Sequence, residues 1–280
     1  MKRTHILLLV LVLGIGSAWA QKKITILHTN DTHSCVLPVK EHVDDTLVAG
    51  RGGFVRRIAM LKEERAKTPN MLLFDSGDFS QGSGYYTLFK GDVEVGLMNM
   101  MGYTAATIGN HEFDYGLENM ARLFEEANFP IVCANYDFSA TVLKDLVKPY
   151  IVVRHEGLKI GVFGLGAKLS GLVSEKNVKG VKYLDPIAVS KDVVKTLREK
   201  EKCDLVICLS HLGWKLFNDI DDNQLVAAVS GIDLVLGGHS HTYMNELEYV
   251  KDPQGKNVPV DQNGKHGIFI GKLELEVKKK

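Results

Sequence analysis

The stretch GIDLVLGGHSHT, residues 231–242, decides how this chain reads. Residues 234–236 make an apolar run suited to a short buried strand, and Gly237 and Gly238 end it. His239 and His241 follow, one residue apart. Two imidazoles crowded against a glycine pair are costly to place in a core without partners, so the question is what they hold. Four earlier stretches share the pattern of an apolar run closely followed by a ligand-type side chain. They are ILHTNDTHS (26–34), FDSGDFS (74–80), IGNHEFDYG (108–116) and ICLSHLG (207–213).

Outward from these stretches the chain alternates short apolar strands with amphipathic helices, which predicts an α/β layered domain. Strands are expected at 24–28, 71–75, 105–108, 131–134, 159–165, 205–209 and 234–236. Helices are expected at 54–65, with Phe54, Ile58 and Leu61 on one face, at 92–100, 117–127, 186–199 and near 224–229. Asp185 before Pro186 is an N-cap followed by a first-turn proline. The HEG at 155–157 reads as a hairpin turn, and the antiparallel segments NELEYV and HGIFIGKLELEV close the chain.

The first 20 residues carry Lys2 and Arg3, an apolar segment at 6–15 and a small-x-small ending, the pattern of a secretory signal peptide cleaved after Ala20. The competing reading, a membrane anchor, is disfavoured by the short apolar segment. The expected mature chain, 21–280, is one domain, secreted or periplasmic, with no membrane span. It keeps 32 basic residues against 34 acidic, so it lacks the basic footprint of a nucleic-acid binder. Cys203 and Cys208 flank one expected strand, too far apart to bridge, while Cys133 and Cys208 sit in apolar runs; no disulfide framework emerges. Cys35 reads as a free thiol, with metal ligation the lesser alternative. The terminal lysine run reads as a solvated tail.

The candidate ligands Asp31, His33, Asp78, Asn110, His211, His239 and His241 all lie just past the C-terminal ends of expected strands. In an open α/β sheet those ends share one edge, where ligands bind, so residues remote in sequence converge. Asp31 and His33, two apart, point the same way if the backbone stays extended past the strand. Glycines at 77, 109, 237 and 238 allow sharp turns and close approach, and Asp78 can bridge two cations through its two oxygens. Mixed nitrogen and oxygen donors favour Zn, Mn, Fe or Ni over Ca or Mg. Singly, D-x-H, G-D and H-x-H are commonplace; their joint order, each after an apolar strand, is not. His28 reads as a hydrogen-bonded core histidine, Asp75 as structural, and Arg56 and Arg57 as helix-surface charges. Phe79 and Phe113 read as packing residues as readily as substrate neighbours. His5 leaves with the leader, and His42, His155 and His266 have no company suggesting ligation.

With these motifs, and with GGFVRR (52–57), MNMMGYTAATIGNHEFDYG (98–116) and GKLELEV (271–277), the chain resembles the calcineurin-like metallophosphoesterases. Within them it resembles the catalytic domain of the secreted 5′-nucleotidase/2′,3′-cyclic phosphodiesterase family. The resemblance implies a four-layer α/β/β/α sandwich around two sheets. It implies two divalent ions, drawn from Mn, Zn, Fe, Co and Mg, one at Asp31, His33, Asp78 and His241 and one at Asp78, Asn110, His211 and His239. His111 matches the family's catalytic histidine and Asp114 its carboxylate partner, with Asn110 and His111 at the substrate; the competing role for Asp114 is a helix N-cap. The implied reaction is phosphate-ester hydrolysis, nucleoside 5′-monophosphates first, by in-line attack of metal-activated hydroxide.

The alternatives are a 2′,3′-cyclic nucleotide or nucleotide-sugar phosphodiesterase, and a non-catalytic metal-binding scaffold that the intact His111 argues against. Family members usually continue into a second domain whose aromatic residues stack on the nucleobase, and this chain stops at Lys280. The expectation is therefore either a separately encoded substrate-binding domain or a broad phosphoesterase acting alone. Thr104 also stands where related sequences often have Asp.

Overall fold

The computed structural model describes residues 21–216 and 219–278. The expected leader, His5 with it, and the last two lysines lie outside the described residues. No described helix is long and apolar enough to cross a membrane.

In chain order the strands are β1 (Gln21–Thr29), β2 (Leu72–Asp75), β3 (Ala105–Ala106), β4 (Ile131–Val132), β5 (Tyr136–Asp137), β6 (Val147–Lys148) and β7 (Tyr150–His155). They continue as β8 (Leu158–Leu165), β9 (Lys182–Tyr183), β10 (Leu205–Ser210), β11 (Leu234–Leu236), β12 (Glu248–Lys251), β13 (Asn257–Asp261) and β14 (Gly271–Lys278). The helices are α1 (Phe54–Lys67), α2 (Gly84–Phe89), α3 (Asp92–Met101), α4 (Gly116–Glu126), α5 (Pro186–Lys195) and α6 (Asp222–Ala228). Two six-stranded sheets carry the fold, in the orders β14-β1-β2-β3-β4-β6 and β12-β13-β11-β10-β8-β7. The central strands of both are parallel.

Strand alternation builds the layers. Ile24 and Ile26 of β1, Leu72 and Phe74 of β2, Ile160 and Val162 of β8, and Leu205, Ile207 and Leu209 of β10 share one core between the sheets. The intervening Leu27 and Leu73 face the opposite way, into a second core with Phe54 and Leu61 of α1, Met98 of α3 and Phe124 of α4. Val206 and Cys208 likewise turn to a third core with Val193 and Val194 of α5 and Leu225 of α6. Three cores separate four layers, the expected α/β/β/α sandwich. Both faces of each central strand are buried, which is why those strands read as unbroken apolar runs.

Most expected elements appear within a residue or two of their predicted bounds. The hairpin turn is carried by Glu156 and Gly157, both at positive φ, and Asp185 caps α5 by accepting the Ala188 N–H at 2.7 Å. Four differences stand against these expectations. Helix α2 was not expected; it is too short to show periodicity, and Ser83 sets it by accepting from Tyr85 and Tyr86 N–H. The expected helix 186–199 divides at Lys195, continuing as a π-helical turn at Thr196–Lys200. The closing antiparallel segment splits between the sheets, β12 pairing with β13 and β14 with β1. Arg57 is buried instead of solvated, its guanidinium stacked 3.9 Å from the centre of the Phe54 ring, three residues back on the same face. Arg56 alone of the pair is a surface charge. The four cysteines are free thiols.

Candidate metal centre

Parallel strands β1, β2 and β3 of one sheet and β10 and β11 of the other deliver their following loops to one rim. Asp31 and His33 follow β1, Asp78 follows β2, Asn110 follows β3, His211 follows β10, and His239 and His241 follow β11. Ligand-capable atoms converge there in overlapping groups: Asp31, His33 and His241; His33, Asp78 and His111; Asp78, His211 and His239. Six of the seven expected ligands thus come together from four loops of two sheets, and His111, next to the seventh, Asn110, joins them from the loop after β3.

The local backbone differs from the expectation of an extended run. Asp31 and His33 have φ of 48° and 42°, and Asp78, His239 and His241 lie at 53°, 72° and 54°. Left-handed backbone at a non-glycine residue costs of order 1–3 kcal/mol each and persists only where the surroundings hold it. Here the loops are pinned to one another. Asp31 N–H donates to Gly77 O at 2.9 Å and His33 N–H to Asp78 O at 3.0 Å, while His239 N–H reaches both Asp31 carboxylate oxygens at 3.0–3.1 Å. Gly109 allows the closest approach: a Cβ there would meet Asp78 Oδ1 at 2.2 Å. Gly77, at φ 87°, makes the turn that only glycine adopts without strain.

The side chains frame the cluster tightly. Asp31 Oδ1 lies 3.4 Å from His241 Nε2 and 3.8 Å from His33 Nε2. Asp78 Oδ2 lies 3.1 Å from His211 Nε2 and 4.0 Å from His33 Nε2, so it faces both groups. Asp78 Oδ1 accepts the His111 N–H at 2.9 Å. His33 Nε2 and His241 Nε2 stand 2.8 Å apart. His211 donates from Nδ1 to Ser76 O at 2.7 Å, which leaves Nε2 as the lone-pair nitrogen.

These donors fit divalent cations. His211 Nε2, His33 Nδ1 and Asn110 Oδ1 are buried without a hydrogen-bond partner, and buried polar atoms are rarely left so. Burial, followed by the charge of His211, lowers the His239 pKa to about 4, and burial also lowers that of His33, so both rings are neutral as ligation requires. His211 goes the other way, up to about 10, because the Asp78 charge outweighs its burial. Asp78 is held below the usual carboxylate range because the imidazoles of His211, His33 and His111 outweigh its own burial. A cation would take over the compensation of that carboxylate from the His211 proton.

His111 sits on the short 3-10 turn that precedes α4, with Nδ1 3.0 Å from Asp114 Oδ2. Burial alone would lower its pKa; the Asp114 hydrogen bond and the charges of Asp78 and Asp114 raise it. Asp114 is not the N-cap of α4, a position held by Tyr115. Asp75 accepts from Thr29 Oγ1 at 2.6 Å and Gly77 N–H at 2.9 Å, a structural role. Buried His28 meets Asp261 at 2.8 Å. Phe79 and Phe113 are core residues, and Cys35 donates its thiol to Leu37 O, outside every ligand group.

Two residues escaped the sequence reading. Glu112 is buried and accepts the N–H groups of Asp78 (2.9 Å), Gly109 (2.7 Å) and Ser80 (3.1 Å), binding the second and third loops together. Its place inside GNHEF was the available signal. We expect Glu112→Gln, which turns an amide NH₂ or a lone acceptor toward these donors, to cost at least about 2 kcal/mol by urea unfolding. Unchanged stability would show that the loops hold without it. His266 is the other: its N–H donates to Asp31 O at 2.7 Å and its ring lies 6.2 Å from that of His33. Only the pairing of β14 with β1 brings it there, and no local pattern marks it.

A family model described as calcineurin-like phosphoesterase matches residues 24–243. The chain is 33% identical to the trifunctional nucleotide phosphoesterase protein YfkN of Bacillus subtilis (strain 168), across 90% of this chain and 18% of that protein. It is 32% identical to the 5′-nucleotidase of Homo sapiens, across 93% of this chain and 47% of that one. The crystal structure of the 5′-nucleotidase precursor from Thermus thermophilus superimposes with a TM-score of 0.83 at 32% identity, covering 91% of this chain and 53% of that one. The chain spans about half the length of these two nucleotidases and under a fifth of YfkN.

Proposed function

The chain belongs to the calcineurin-like phosphoesterases, and on that premise we propose that it hydrolyses phosphate esters, nucleoside 5′-monophosphates foremost, at a centre for two divalent cations. The observation that carries this reading is the convergence of Asp31, His33 and His241 with Asp78, His211 and His239 around shared carboxylates. One cation would be held by Asp31, His33, Asp78 and His241, the other by Asp78, Asn110, His211 and His239. When bound, such a pair lowers the pKa of water to near neutrality and offsets the repulsion between an anionic ester and an anionic nucleophile.

The chain's own residues supply the rest. Asp31 is oriented by the Asn30 side-chain amide at 2.6 Å and by His239 N–H, which fixes the direction of its lone pairs. Asp114 accepts the Nδ1–H hydrogen bond of His111, leaving Nε2 to hold a proton for the leaving oxygen and to stabilise charge on the phosphoryl group. Asn110, the neighbouring residue, is buried with its Oδ1 unpartnered, which leaves that oxygen available as a donor to a cation. The leader read at residues 1–20 supports a location outside the cytoplasm for this reaction.

The test is a panel of AMP, 2′,3′-cyclic AMP and a nucleotide sugar, assayed after chelation and after return of Mn, Zn, Co or Mg. We expect AMP to release phosphate only when metal is restored. Turnover that survives exhaustive chelation would sink the metal reading, and absence of turnover with every metal would favour a scaffold.

A further inference from the structure

The pairing of His111 with Asp114 is not set by packing alone. Their side chains each expose 30% of their surface, so the angle between ring and carboxylate depends on how the backbone of the turn is held. Just beyond Asp114 that backbone changes hand. Gly116 lies at φ 79°, and Tyr115, the N-cap of α4, makes no capping bond with its side chain. The 3-10 turn His111–Phe113 is therefore joined to α4 through a break, and the Asp114 carbonyl stands at that break.

A side chain from a distant segment closes the break. Asn177 Nδ2 donates to Asp114 O at 2.8 Å, across 63 residues of chain. A Cβ on Gly116 would meet Asn177 Oδ1 at 3.9 Å, so the amide lies against the break itself. Asn177 belongs to a second 3-10 turn, Glu175–Val178, which follows β8 and packs against α4. That turn is anchored on both sides. Val173, Val178 and Val181 pack onto the core that holds Phe113, and the N–H groups of Val173 and Val181 donate to Leu169 O and Val178 O at 3.0 Å. Glu175 and Lys176 are exposed, whereas Asn177 is half-buried. The other end of the His111 turn is tied separately, by Tyr86 Oη donating to His111 O at 3.3 Å and by His111 N–H donating to Asp78 Oδ1.

We propose that Asn177 is a positioning residue for the His111–Asp114 pair: by holding the Asp114 carbonyl it fixes the direction from which the carboxylate meets Nδ1, and so the aim of Nε2 at the leaving oxygen. The inference rests on the phosphoesterase reading above and adds to it a residue, outside every ligand loop, that acts through Asp114. A misplacement of about 1 Å in a reacting group can cost on the order of 10² in rate, so a single amide contact can weigh far more on turnover than on folding. Asn177 belongs to none of the groups that could hold a cation, so its loss leaves the metals in place. Proton transfer depends steeply on aim, whereas attraction between charges depends on it weakly. The cost should therefore fall on esters whose leaving oxygen needs a proton. A role in packing alone would treat all esters alike.

The full chain, metal-loaded, is assayed as wild type, Asn177→Ala and Asn177→Asp, with Lys176→Ala as an exposed control on the same turn. Asn177→Asp keeps the shape of the side chain and replaces its N–H donor by an oxygen. Substrates are AMP, whose alkoxide must be protonated as it leaves, and 4-nitrophenyl phosphate, whose phenolate leaves unaided. We expect kcat for AMP to fall by about 10- to 100-fold in both Asn177 variants, with KM and metal content held, and kcat for the nitrophenyl ester to change by less than about 3-fold. Placed on His111→Ala, the Asn177 substitution should cost nothing further. Equal losses on the two esters, an additive loss on His111→Ala, or a matching loss in the Lys176 control overturns the inference. The Zn-loaded proteins are also compared by NMR at the His111 Nδ1 proton, which its carboxylate partner draws downfield. That signal should move upfield or vanish in both Asn177 variants, and an unchanged signal overturns the inference as well. Failure of every ester to turn over strikes the phosphoesterase reading instead, and the proton signal still judges Asn177.

Discussion

Asp78→Ala is expected to empty both cation sites together and to lower turnover by on the order of 10³-fold or more. The reason is geometric. Asp78 Oδ2 is the oxygen that faces His211 of one ligand group and His33 of the other, while Oδ1 receives the His111 N–H. On the proposed reading, truncation would therefore remove the shared ligand and loosen the turn that carries His111. Asp78→Asn separates the two effects: it keeps an acceptor for the His111 amide and removes the charge that two cations require. Elemental analysis of the folded variants, alongside wild type, is the measurement. Full occupancy of both sites in Asp78→Ala would refute the bridge.

His111→Ala is expected to lower kcat by roughly 10²–10⁴-fold, the weight of a positioned proton donor, with both metals retained. His111 makes its side-chain hydrogen bond to Asp114, not to an expected ligand, so its loss should not disturb metal content. Metal loss accompanying the substitution would move His111 into the ligand set. The pH dependence follows with its sign. In the proposed mechanism the active form is the imidazolium, and the Asp114 hydrogen bond with the Asp78 and Asp114 charges raises its pKa against the pull of burial. Activity should therefore fall as pH rises through that raised pKa. Asp114→Asn removes one of the charges that raise it, so the alkaline limb should move to lower pH while the metals stay bound.

Much of the site was legible in the order of residues. GIDLVLGGHSHT placed a strand at 234–236 and its two imidazoles just beyond, and β11 occupies those residues. The same logic located the loops after β1, β2, β3 and β10, because a buried parallel strand leaves an apolar run that ends where its loop turns to the ligand. What was not legible involved contacts without a local pattern. Arg57 reads as a solvated charge until Phe54 is seen beneath it. Glu112 looks like one more acidic residue until three backbone N–H groups are found to converge on it.

The linear order of residues by itself determined the positions of the principal strands, the candidate donors and the family the chain belongs to. Tertiary structure decided how the strands divide into two sheets, since strands buried on both faces show no alternation to tell one sheet's partners from another's. It also decided the left-handed turns at Asp31, His33 and Asp78. Local preference disfavours that backbone for non-glycine residues, and only hydrogen bonds from neighbouring loops hold it in place. The return of β14 to β1, which carries His266 to the rim of the metal centre, is of the same kind: a pairing between residues about 250 positions apart, registered by the sheet and by nothing local.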